Sequence, residues 1–360
     1  MYDVGCDAAP RVLLPAATCC LLLFPSTNSC PLQPNAECGM PIAECWVLTA
    51  VCFCMPNLFY ESVLFLAGLV FGSFLNVCIT RIPRDESVIR PSSHCRGCGK
   101  PIRWFDNIPL LSYALLRGRC RSCGTRIPLR YPTVELLTGL LFAACFAWYG
   151  PTWLTLKLCI FCFLVTGLIF TDAETGLLVH EFTYPGIVLG LALAWIAPWD
   201  YSATQFLLLV FDKHIASIRW LSLLDSTIAA LAGAGFFFLA WALYYLVRKR
   251  HGLGFGDIAL MAMTGAFLGL KLTAFVIACA PIVTVFWALV LLVWEALRPS
   301  RSAPTAVAVN GKRRSGKKDS PSKEQPFLQR EIPFGVFLGI CSLAAIFLGE
   351  AAWKWYLGRF

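Results

Sequence analysis

Long apolar runs decide what this chain can fold into. Eight of them, at residues 58–80, 134–149, 153–171, 183–198, 221–247, 258–270, 272–297 and 334–356, are too apolar for loops. Most approach the roughly 20 residues that an α-helix needs to cross the hydrocarbon of a bilayer. No water is present there to satisfy a backbone N–H or C=O, so such runs fold as helices. The expected fold class is an all-α polytopic membrane protein with about eight transmembrane helices, 258–270 being short for a full crossing. Composition agrees: 58% of the 360 residues are hydrophobic and 14% charged, more apolar matter than one soluble core absorbs.

Basic residues then set the orientation, because cytoplasmic loops concentrate Lys and Arg. Residues 81–130, 248–250 and 298–330 together hold 23 of the 30 basic residues, and with eight crossings all three segments fall on one side. The net charge of +9 is therefore mostly topology, and a nucleic-acid partner is not expected. The expected organisation is an uncertain N-terminal extension at 1–54, a first membrane helix at 55–80 and a cytoplasmic four-cysteine domain at 81–133. A membrane domain follows at 134–297, then a basic, disordered cytoplasmic linker at 298–332 and a last helix at 333–360. The extension carries eight of the eighteen cysteines. Its Arg11 and apolar 12–24 suggest a weak signal sequence without a clean cleavage site, and Met55, leading directly into the first helix, is an alternative start.

Within the basic loop stand Cys95-Arg96-Gly97-Cys98 and Cys120-Arg121-Ser122-Cys123, separated by twenty-one residues. Two residues between cysteines let one tight turn aim both thiolates at one ion, and two such turns supply the four ligands of a structural zinc. Disulfides or a redox pair are the alternatives, disfavoured by the cytoplasmic side and by the lack of a βαβ pattern. Four thiolates leave no open position for catalysis by the metal. His94 precedes Cys95 and reads as an exposed loop residue.

Ionisable residues beside membrane helices are functional candidates by default. Asp172 closes the apolar run before it, and Asp257 sits in Gly254-Phe255-Gly256-Asp257 just ahead of the next. The expected topology puts both at the same membrane face. Two adjacent carboxylates share one proton, giving an acid and a base together, which is the chemistry of aspartic peptide hydrolysis. Gly254 and Gly256 would let the backbone turn sharply and approach an extended peptide. A transporter using the aspartates as a proton or cation relay is the rival, but it has no use for a four-cysteine loop. Glu135 reads as dipole compensation at a helix start, and Glu174, His180 and Glu181 as a solvated turn.

Several segments from Met55 onward resemble the bacterial type IV prepilin peptidases. They are Gly68-Leu69-Val70-Phe71-Gly72-Ser73-Phe74-Leu75-Asn76-Val77 leading to Arg81-Ile82-Pro83, Asn107-Ile108-Pro109-Leu110-Leu111-Ser112-Tyr113, Arg130-Tyr131-Pro132 and Glu135-Leu136-Leu137-Thr138-Gly139. The GxGD at Asp257, with Gly265 and Gly269 after it, and Pro333-Phe334-Gly335 add to the resemblance. It implies Asp172 and Asp257 as the catalytic pair of an inner-membrane, multi-pass endopeptidase whose site faces the cytoplasm. It further implies substrates that are prepilins or pseudopilins, cut after a short basic leader, and N-methylation of the new terminus from S-adenosylmethionine. No glycine-rich nucleotide motif names residues that hold this donor. The chain departs from the family pattern at Leu178-Val179-His180, where Leu-Pro-Asp is usual, and at Ala259, where Lys is usual. A pilin-binding assembly factor that keeps the fold without cutting is the alternative.

Overall fold

A computed structural model describes residues 42–199, 202–210, 217–249, 254–297 and 334–358. Residues 1–41 of the expected extension, and the linker 298–332, lie outside the described residues. The chain divides into two compact units, Met1–Leu64 and Phe65–Phe360, and every residue of the sites below belongs to the second.

The described residues form nine α-helices and no strand: α1 (Ile42–Arg81), α2 (Leu111–Leu115), α3 (Arg130–Tyr149), α4 (Trp153–Thr175), α5 (His180–Ile196), α6 (Ser202–Val210), α7 (Ile218–Arg248), α8 (Phe255–Leu297) and α9 (Phe334–Leu357). Helix α1 begins at Ile42, earlier than the expected 55. Six helices, α1, α3, α4, α7, α8 and α9, are long and apolar enough to cross a membrane. Against the eight expected crossings, α5 has 17 residues, about 26 Å at 1.5 Å per residue, and α8 contains two of the expected runs.

Helix α8 spans 43 residues, about 65 Å if straight and twice what a bilayer core needs. It breaks at Gly269, whose φ of 78° and ψ of 177° lie outside the helical region and suit a residue without Cβ. The break frees the Leu270 N–H, which donates to Asp225 Oδ2 of α7 at 3.0 Å. Thr204 of α6 donates to Asp225 Oδ1 at 2.5 Å. The first arm of α8, carrying Asp257, is thus tied to α6 and α7 at its far end.

Helix α4 is the most enclosed element. Leu158, Phe161, Val165 and Leu168 are fully buried, and Phe161 meets Phe267 of α8 at 5.1 Å between ring centroids. Thr152 caps its start by accepting from the Thr155 N–H, and Gly176, left-handed at φ 65°, ends it with an N–H to the Asp172 carbonyl. Around this centre α3, α5 and α9 pack on α4, while α7 and α9 flank α8. Large apolar side chains such as Leu231, Leu239, Val247, Ile282 and Phe286 point outward, as lipid-facing positions require. Helices α1 and α3 approach closely through small residues: a Cβ at Gly68 would stand 2.7 Å from Gly139 Cα, and one at Gly72 the same distance from Glu135 Cα.

Candidate active site

Asp172 lies in the last turn of α4 and Asp257 in the first turn of α8, each 6% exposed. The Val336 N–H at the start of α9 donates to Asp172 Oδ2 at 3.0 Å, orienting that carboxyl. Leu178 lies between the two aspartate-bearing elements. A Cβ added at Gly335 would stand 2.8 Å from Asp172 Oδ2 and 2.9 Å from Leu178 Cδ1, and one at Gly256 would stand 2.4 Å from Leu178 Cβ. The two carboxyls are near enough for their charges to interact. The space beside Gly256 is therefore taken by Leu178, whereas a Cβ at Gly254 would meet nothing closer than Asp257 Oδ2 at 3.7 Å.

Arg130, at the start of α3, reaches toward the same region. It pairs with Glu174, two residues past Asp172, donates through Nη2 to Thr80 Oγ1 of α1 at 2.9 Å, and lies over the Tyr131 ring at 4.7 Å. Glu174 is thus an ion-pair partner and not only part of a solvated turn. His180 stacks on Tyr184 at 4.9 Å, and Ala259 is buried.

The four loop cysteines converge: one sulfur of each lies within 4.8 Å of all the others, so the group could hold a metal ion. A regular tetrahedron with bonds of about 2.3 Å places its sulfurs about 3.8 Å apart, and Cys95 Sγ to Cys123 Sγ is 3.7 Å. The two turns are built alike. The Cys95 N–H donates to Lys100 O and the Gly99 N–H to Cys95 O; the Cys120 N–H donates to Thr125 O and the Gly124 N–H to Cys120 O. Gly99 and Gly124 both sit at φ 70°, where a side chain would be strained. Asp106 grips Arg121 inside the second turn at 2.6 Å, and this guanidinium holds its carboxyl below the usual range.

Charge within the cluster is uneven. Hydrogen bonds from Thr125 draw the Cys123 thiol down to about 6. Cys98 goes up to about 11 although the Lys100 backbone acts the other way, because desolvation and the neighbouring Cys123 and Cys95 resist another charge. Only a cation at the centre lets all four ionise together.

Two family models match. Residues 66–149 match the bacterial peptidase A24 N-terminal domain, and residues 156–291 match the type IV leader peptidase family. A prepilin leader peptidase/N-methyltransferase of Aeromonas hydrophila is 30% identical over 328 residues, covering 84% of this chain and 95% of that one. The chain belongs to the type IV leader peptidase family. Proteins of the same name from Myxococcus xanthus and Neisseria gonorrhoeae are 39% and 36% identical, over 58% and 57% of this chain and 56% and 72% of their own. No solved structure matches.

In this leader peptidase the sequence reading left two residues aside that the structure makes prominent. Glu135 is not at the helix start: α3 begins at Arg130 with no acid in its first turn, and Glu135 is 8% exposed and accepts the Leu110 N–H at 2.9 Å. Asn76 of α1 is 2% exposed and donates to the Tyr131 carbonyl at 3.0 Å. Both are polar groups inside membrane helices, the signal that would have singled them out.

Proposed function

We propose that this chain is a membrane aspartyl endopeptidase that removes the leader of type IV prepilins or pseudopilins at the cytoplasmic membrane face and then methylates the new N-terminus. The observation that carries the reading is the approach of Asp172 and Asp257 from the ends of two different helices, buried and in reach of one another's charge. Such a pair holds a single proton between two carboxyls. The ionised carboxyl takes a proton from water as its oxygen attacks the scissile carbonyl; the protonated one donates to the carbonyl oxygen, and the gem-diol collapses with proton transfer to the leaving amine. The Val336 N–H fixes the rotamer of Asp172 for this exchange.

In this reading the four cysteines hold zinc, closed to substrate and structural. S-adenosylmethionine, when bound, would supply the methyl group of its sulfonium to the unprotonated amine of the cut pilin, leaving as a neutral thioether while the methylated amine gives up a proton. The basic segments at 81–130 and 248–250 support a cytoplasmic position for the aspartate ends and the cysteine loop.

Co-expression with a pseudopilin tests the peptidase. Asp172→Asn and Asp257→Asn should each leave the pilin at precursor size, and wild type should release a shortened product heavier by one methyl group at its N-terminus. A cut product from either variant would overturn the aspartate assignment. Pilus assembly persisting on uncut pilin would favour the scaffold alternative.

A further inference from the structure

Between the four-cysteine loop and the neighbouring ends of α1 and α3 lies a cavity of about 930 Å³, at the upper end of what small-molecule sites occupy. Asp172 and Asp257 are not among its walls, so the peptidase step leaves it without a task. Its walls include Ser73, Asn76 and Thr80 at helical spacing on α1, and Tyr131 and Glu135 on α3. This polarity is out of place on membrane helices unless something uses it.

Three observations point to a ligand. Asn76 Oδ1 is buried and has no hydrogen-bond partner, although the amide nitrogen of the same side chain is engaged. Glu135 carries a buried carboxylate whose Oε2 holds the Leu110 N–H, with Ser73 hydrogen-bonded to the same carboxyl. Leu110 itself sits at φ 57° and ψ −47°, closed into a tight turn by the Leu111 N–H to Pro109 O at 2.6 Å. Non-glycine residues rarely adopt this conformation, and it persists where the surroundings impose it, commonly at functional sites. Two acceptors, one of them a carboxyl oxygen, thus stand on the membrane-helix side of the cavity. Exposed Arg84, Arg96, Lys100 and Arg126 stand among its other walls.

The occupant must therefore carry both signs: a cation or N–H donors toward Asn76 and Glu135, and an anion toward the arginines and lysine. A phosphate or a phosphatidylglycerol-type headgroup satisfies the basic side but brings no cation to Glu135. We propose that this cavity binds S-adenosylmethionine, with Asn76 and Glu135 of the membrane helices holding its cationic and amino groups and the basic residues its carboxylate. The assignment rests on the methyl-transfer half of the proposed function. Arg130 joins this cavity to the cutting site, since it contacts Thr80 on the cavity wall and Glu174 beside Asp172.

The test is equilibrium binding of tritiated S-adenosylmethionine to the full zinc-loaded protein in nanodiscs, with hydrogen exchange of the wild type recorded with and without the donor. Glu135→Gln keeps an acceptor for Leu110 and removes the charge, and Asn76→Leu removes the unpaired oxygen. Each should weaken binding at least tenfold while zinc content and melting temperature report an intact fold. In the wild type, donor-dependent protection should fall within 73–84 and 93–135. Wild-type affinity in both variants, or protection confined to other segments, would overturn the site. Absence of saturable binding by wild type, with pilin cut but left unmethylated, would instead remove the methyl-transfer reading beneath it.

Discussion

At Gly335 a single added methyl group would reach the carboxylate of Asp172. The position of that Cβ, 2.8 Å from Oδ2 and 2.9 Å from Leu178 Cδ1, is closer than real contacts allow, and Leu178 is already wedged against Gly256. Asp172 would have to rotate away from the Val336 N–H that orients it. Gly335→Ala is therefore expected to lower kcat for leader cleavage about 100-fold, the order of loss that a 1 Å misplacement of a reacting group causes, with KM little changed. Detergent-solubilised enzyme and a synthetic prepilin segment suffice to measure it. Unchanged kcat would mean that the Asp172 rotamer is not what Gly335 protects. Residues of this kind were half legible in the sequence. Asp172 and Asp257 stood out as charges bounding apolar runs, but nothing in the sequence said that Gly335, more than 160 positions away, shapes the space around the first of them. Asn76 and Glu135 were overlooked for a different reason: each was read within its own segment, and their significance arises only where α1 and α3 face each other.

At the scale of elements, the break in α8 separates a first arm that carries Asp257 from a second, apolar arm. The sequence located that boundary well, since the expected runs end at 270 and resume at 272 and the break falls at Gly269. It did not identify what stabilises the break. Asp225 lies inside an apolar run on α7, 2% exposed, and accepts from both Leu270 N–H and Thr204 Oγ1, with the buried Lys157 in reach of its charge. Removing one partner of a buried charged cluster costs about 3 kcal/mol or more, because the remaining groups keep their desolvation cost without their partner. Asp225→Ala should lower stability by about that amount in denaturation from mixed micelles. Asp225→Asn, which retains one acceptor, should lose less. Equal stability of both variants and wild type would show that Gly269 holds the break without help from α7.

For the molecule as a whole, the sequence separated a four-cysteine loop from a bundle of helices, and the two differ in what stabilises them. Residues 82–129 contain two short 3-10 turns, the five-residue α2 and two isolated bridges, while Ile89, Trp104, Leu115 and Leu129 are all exposed. So small an apolar interior cannot order some fifty residues, and the two like-built cysteine turns meet at the sulfur cluster and where Gly97 faces Thr125. The helices instead bury Phe161, Phe267, Leu260, Met263 and Leu338 completely, a core that owes nothing to metal. Chelation should therefore act on the loop first. Hydrogen exchange of residues 90–128 is expected to rise by orders of magnitude, with α4 and the first arm of α8 still protected. Because Leu110 reaches Glu135 from that loop, donor binding should disappear in the same titration and return with added zinc. Simultaneous loss of protection in α4 would mean that metal and helices fold as one unit. Loss of loop protection with donor binding intact would mean that the loop is no wall of the donor site.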